Sequence, residues 1–105
     1  MRPIAADLTG TYDTHPELKG EVDLIITGES WENYNEIIDT TEIDVPVFWN
    51  PGDEELMDIV EHKANVINKT NASKFYEDQS VQVNLLKGMC PNCRIILVRE
   101  GLFSI

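Results

Sequence analysis

The stretch Val22-Asp23-Leu24-Ile25-Ile26-Thr27-Gly28 decides the fold class. It is short, rich in β-branched residues, almost continuously apolar after Asp23, and stopped by a glycine. That is how a strand reads when both of its faces are covered. Covering both faces requires layers on either side of a sheet, which is the α/β arrangement.

Outward from this strand the pattern alternates. Residues 30–39 place Trp31, Tyr34, Ile37 and Ile38 at helical spacing, with Glu29, Glu32, Glu36 and Asp39 on other faces. Ser30 or Thr27 can cap this helix, and early acids suit its positive end. Residues 45–49 read as a strand that Pro46, lacking an N–H, confines to an edge or an unpaired position. Asn50 then stands as an N-cap, with Pro51 at the first helical position and Asp53 opposing the dipole. Leu56, Ile59, Val60, Lys63, Ala64 and Ile67 mark the stripe of a second helix running to about Asn68.

Upstream, residues 3–6 form a short opening strand, and residues 8–20, punctuated by Gly10, Pro16 and Gly20, read as a loop. Downstream, residues 68–79 are polar and turn-like, with Phe75 and Tyr76 anchoring them. Residues 81–85 alternate with period two, as a half-buried strand does, and residues 94–98 are apolar and β-branched. The Gly, Pro and Asn between them suit a hairpin. The expectation is one α/β domain over residues 1–105, in the order β-β-α-β-α-β-β. It has a mixed sheet, a C-terminal antiparallel hairpin and at least two helices.

The chain has 105 residues, of which 42% are apolar and 26% charged, enough to bury a core. Its 19 acids against 8 bases give a net charge of −11. A polyanion is repelled by phosphates, which argues against direct nucleic-acid binding. No apolar run approaches the roughly 20 residues of a membrane span, and no signal-peptide core follows Met1, so a soluble, cytoplasmic protein away from membranes is expected. The charge is uneven. Residues 1–61 carry 16 acids and two bases, whereas residues 62–105 carry three acids and six bases. Such a field can steer a basic partner.

Two groups of residues could carry chemistry. Cys90-Pro91-Asn92-Cys93 presents two thiols three positions apart, a spacing that holds one soft cation, with Zn²⁺ the candidate ion. It resembles one half of a zinc-ribbon knuckle, except that Arg94 stands where that family has glycine. His15, His62, a carboxylate or a second chain would have to complete the site. The other group is acidic. Loops at the carboxyl ends of parallel strands converge, so Asp7, Glu29 and Asp53 could gather there and hold Mg²⁺ or Ca²⁺ through oxygen ligands.

Residues 23–29 and 45–53 are also similar, over some 30 residues, to the core of calcineurin-type metallophosphoesterases. Glu29 stands for that family's Asp, and Asp53-Glu54 for its Asn-His. The opening Asp-x-His is missing near Asp7, and membership does not follow. No Gly-rich phosphate loop, GxSxG elbow or HExxH motif occurs.

The leading expectation is therefore a non-enzymatic binding or regulatory module. It would dock a basic protein surface through Glu29, Glu32, Glu36, Asp53, Glu54 and Glu55. The alternative is a metal-binding protein, with zinc at Cys90 and Cys93 or a divalent cation at the acidic strand ends of a hydrolase-like α/β domain. Trp31, Trp49, Phe75, Tyr76 and Phe103, with the apolar C-terminus, point to a homodimer.

Overall fold

The computed structural model describes residues 1–40, 42–99 and 102–103. Its sheet contains β1 (Ile4–Ala6), β2 (Leu24–Ser30), β3 (Val47–Asn50), β4 (Lys74–Glu77) and β5 (Arg94–Arg99). These five strands are all parallel and lie in the order β3-β2-β1-β4-β5. The two-residue β6 (Leu102–Phe103) pairs antiparallel with the end of β5. The helices are α1 (Tyr34–Thr40), preceded by a 3-10 turn over Trp31–Asn33, then α2 (Leu56–Thr70) and α3 (Ser80–Met89).

The apolar run that opened the sequence reading behaves as expected of a strand covered twice. Leu24 and Ile26 face a core that includes Val60, Ala64 and Ile67 of α2 and Val83 and Leu86 of α3. Ile25 faces the opposite layer, with Leu8, Tyr12, Leu18 and Val22 from the segment after β1. The same alternation separates Ala5 from Ala6 and Phe75 from Tyr76. β3 sits at the sheet edge, where the proline before it is tolerated.

Three expectations need correction. The antiparallel hairpin expected between residues 81–85 and 94–98, and the mixed sheet built on it, do not form, because residues 81–85 belong to α3 and β1 to β5 are all parallel. Their period-two alternation does not set the burial, since in α3 Val83 and Leu86, three residues apart, turn inward while Val81 stays exposed. Residues 68–79 are more than a turn, for Lys74–Glu77 forms β4, paired with β1 and β5. The N-terminal boundary of α2 also moves. Glu55 occupies the cap position, and Asn50 instead ties the end of β3 to its neighbours. Its Nδ2 donates to the carbonyls of Gly28 (3.1 Å) and Asp53 (3.0 Å), and its Oδ1 accepts from the Gly52 N–H. Of the apolar tail, residues 101, 104 and 105 lie outside the described residues, as does Thr41 of the turn before β3.

At its far end α2 closes on Asn71, in the left-handed conformation at φ 55°. The Arg2 guanidinium donates to the carbonyls of Asn71, Ala72 and Asn92 there. No helix among the described residues is long and apolar enough to cross a membrane.

Candidate functional site

From β1 the chain steps one way, to β2 and β3. It then returns to the other side of β1 for β4 and β5. The sheet order therefore reverses between β1 and β4, and their carboxyl ends flank the crevice where open parallel sheets place ligands. Asp7 follows β1 directly, and Glu77 and Asp78 sit at the end of β4. One carboxylate oxygen from each of these three side chains lies within 4.8 Å of the others.

α2 supplies the counter-charge. Lys63 projects from its inward face and is 2% exposed. Its ammonium donates to Asp7 Oδ1 (3.0 Å), Glu77 Oε1 (2.6 Å) and Gln82 Oε1 of α3 (2.7 Å), which uses all three of its N–H bonds. Glu77 also accepts from the Gln79 N–H.

Asp78 is held by the segment after β1. Leu8–Tyr12 forms one wide turn, closed by Tyr12 N–H to the Asp7 carbonyl (3.1 Å) and Asp13 N–H to the Leu8 carbonyl (3.2 Å). Within it Gly10 adopts φ +80°, a conformation that glycine takes without penalty. A side chain at that position would collide with the Asp78 carboxylate. The next residue, Thr11, donates its hydroxyl to Asp78 Oδ1 (3.2 Å).

Burial raises the Asp7 carboxyl well above the usual range, with the ammonium of Lys63 opposing and Glu77 reinforcing the shift. Glu77 moves upward for the same first reason. Burial works to lower Lys63, but Asp7 and Glu77 together outweigh it and hold the ammonium charged. With its carboxylates ionised, the group of three acids and one lysine carries a net charge of −2, which one divalent cation cancels.

A pocket of about 230 Å³ opens onto this group. Asp7 and Lys63 lie in its wall with Thr27, Gly28 and Glu29 from the end of β2 and Glu54 from the loop before α2. The Thr27 side chain is buried, and its Oγ1 accepts from the Glu29 N–H (3.0 Å).

The expected residues are distributed as follows. Asp7 and Glu29 reach the same pocket, and Glu29 accepts from Asn33 Nδ2 (2.8 Å). Glu54 joins them there, while Asp53, Glu55, Glu32 and Glu36 are exposed. Asp7 keeps company with Glu77 and Asp78 in place of the expected Asp53.

Cys90 is buried and Cys93 half-buried, both as free thiols. Burial pushes both thiols up, Cys93 to about 11 with help from Cys90. Among the described residues no His, Asp or Glu completes a three-ligand group with them. His15 is buried between the Thr11 and Arg99 carbonyls, and His62 lies against the Phe48 carbonyl.

Sequence reasoning missed Lys63, Glu77 and Asp78. A signal for Lys63 was present, since a lysine within an apolar helical stripe needs a buried partner. Glu77-Asp78 carried no such signal while residues 74–77 read as a turn.

The fold and site thus define a parallel α/β domain with a carboxylate–lysine cluster at its topological switch point. No family model, curated protein or solved structure matches this chain.

Proposed function

We propose that the chain is a divalent-cation-dependent phosphoryl-transfer protein with Asp7 as the nucleophile. The observation that carries the reading is the convergence of Asp7, Glu77 and Asp78 around buried Lys63 at the carboxyl edge of the sheet. Hard oxygen ligands suit Mg²⁺, which typically takes one or two carboxylates and completes its shell with water and substrate phosphate. Phosphoryl transfer asks mainly for positioning and charge stabilisation, and a lysine, a hydroxyl and a cation supply these at one pocket. Here Lys63 acts through its nearby positive charge, its N–H bonds being taken by Asp7, Glu77 and Gln82, Thr27 offers the hydroxyl, and Asp7, Glu77 and Asp78 would hold the ion.

An Asp7 oxygen attacks phosphorus as the bond to the leaving oxygen breaks, giving an aspartyl phosphate and an alkoxide, which takes a proton from water and departs as the alcohol. Water then attacks the phosphorus of that intermediate, releasing phosphate and restoring the carboxylate.

The test is hydrolysis of p-nitrophenyl phosphate by purified protein with and without Mg²⁺. Turnover that requires Mg²⁺ and vanishes in Asp7→Asn is expected. Absence of both turnover and Mg²⁺ binding overturns the proposal.

A second reading keeps the acidic face as a docking surface for a basic protein. It is favoured by the exposure of Glu32, Glu36, Asp53, Glu54 and Glu55. Capture of a basic partner should then weaken steeply as salt rises. Capture that is insensitive to salt refutes it.

A further inference from the structure

Just along the chain from Glu29 of the pocket wall stands a group of rings that the core does not absorb. Trp31 immediately follows β2, and Trp49 lies in β3 next to Asn50, whose register partner is Ser30. The Trp31 ring lies 4.5 Å from that of Tyr34 at a 33° tilt, and it meets Trp49 edge-on at 5.5 Å. Even with both neighbours, Trp31 remains 59% exposed. Its orientation is therefore fixed while much of its surface is open to a further flat partner.

The order of chemistry along the end of β2 is informative. Thr27, Glu29 and Glu54 line the same pocket as Asp7 and Lys63. Trp31 comes four residues after Thr27, at most about 13 Å along extended chain. Asn33, in the turn that Trp31 opens, is hydrogen-bonded to Glu29 and so couples the ring-bearing turn to the pocket. At about 230 Å³ the pocket is smaller than the roughly 300–1,000 Å³ that encloses a drug-sized ligand. A larger ligand must extend out of it.

Resting on the phosphoryl-transfer reading, we infer that the substrate class is a nucleoside monophosphate. Its phosphate meets the cation and Thr27 within the field of the Lys63 charge, its sugar hydroxyls donate to Glu29 and Glu54, and its base stacks on Trp31. Base stacking on an aromatic side chain is indifferent to base identity, so purine and pyrimidine nucleotides both bind.

The experiment titrates the protein, in Mg²⁺, with adenosine monophosphate, uridine monophosphate and ribose 5-phosphate, following tryptophan fluorescence and calorimetric heat. Both nucleotides should bind about tenfold or more tightly than ribose 5-phosphate. Trp31→Ala should abolish that advantage without changing ribose 5-phosphate affinity, and Trp31→Phe should keep most of it. Equal affinity for nucleotide and ribose 5-phosphate overturns this inference and leaves the phosphoryl-transfer reading standing. So does a Trp31→Ala variant that dissociates a dimer in sedimentation while nucleotide affinity is unchanged. If no phosphate ester binds and none is hydrolysed, the phosphoryl-transfer reading falls and this inference with it.

Discussion

Replacing Lys63 with methionine tests the electrostatic account of the site directly. The substitution keeps most of the apolar stem and removes the ammonium, with its charge and its three hydrogen bonds. In the native protein that charge sits 3.0 Å from Asp7 Oδ1 and 2.6 Å from Glu77 Oε1, with lysine and both acids buried. Removing one member of such a buried group leaves uncompensated carboxylates and costs about 3–5 kcal/mol. A domain of this size has about 5–15 kcal/mol of stability in total, so the variant folds marginally. Urea denaturation at pH 7, followed by tryptophan fluorescence, should show the midpoint falling by roughly 2 M at an m-value near 2 kcal/mol/M.

The pH dependence has a definite sign. Asp7 and Glu77 are raised in the folded state, so their contribution to stability is largest at low pH and is lost as pH rises through the folded values. Without Lys63 they rise further, and the deficit of Lys63→Met should shrink on acidification from pH 7 to pH 5. Adding Glu77→Gln to the variant should recover part of the loss at neutral pH. A Lys63→Met protein within about 1 kcal/mol of the parent at pH 7, or a deficit that grows on acidification, would refute the reasoning.

Three further outcomes are expected. Saturating Mg²⁺ at a hundred times its dissociation constant should stabilise the protein by about 2.7 kcal/mol. Asp78→Asn should remove most of this gain, and a thermal melt unmoved by Mg²⁺ would contradict the cation site. Gly10→Ala places a Cβ 2.9 Å from Asp78 Cγ at a φ of +80°. It should cost about 1–2 kcal/mol from the backbone alone and weaken Mg²⁺ binding as well, whereas Gly20→Ala, in open space, should leave that binding unchanged. Cys93, raised to about 11 by burial and by Cys90, should react with iodoacetamide at pH 8 about a hundredfold more slowly than free cysteine. Labelling at the rate of the free amino acid would mean that the thiol is not buried.

The architecture was legible wherever local pattern and tertiary burial agreed. The run Leu24-Ile25-Ile26 is apolar at successive positions because the sheet is covered on both sides, and that requirement is written into the residues themselves. The stripe from Ile59 to Ile67 announced α2 for the same reason. Residues 81–85 mislead because Val81, Val83 and Leu85 alternate as a strand does, whereas in α3 Val83 turns inward, Leu85 packs only partly and Val81 stays exposed. What decides is whether the next inward residue is Leu86, which only packing against α2 and the sheet establishes. Residues 74–77 failed because a four-residue central strand flanked by polar residues has too little pattern to register.

The candidate site was half visible. Asp7 and Glu29 were placed at the carboxyl edge from strand order alone, which is a property of parallel sheets in general. Their partners depend on which strands are neighbours. Glu77 lies seventy residues from Asp7 in the chain, and only the hydrogen-bonded pairing of β1 with β4 makes their side chains adjacent. Amino-acid order by itself therefore determined the layers, the acidic character of the first sixty residues and the presence of a lysine inside an apolar stripe. The tertiary structure decided which charges meet, because burial and ion pairing act through space and carry no trace of separation along the chain.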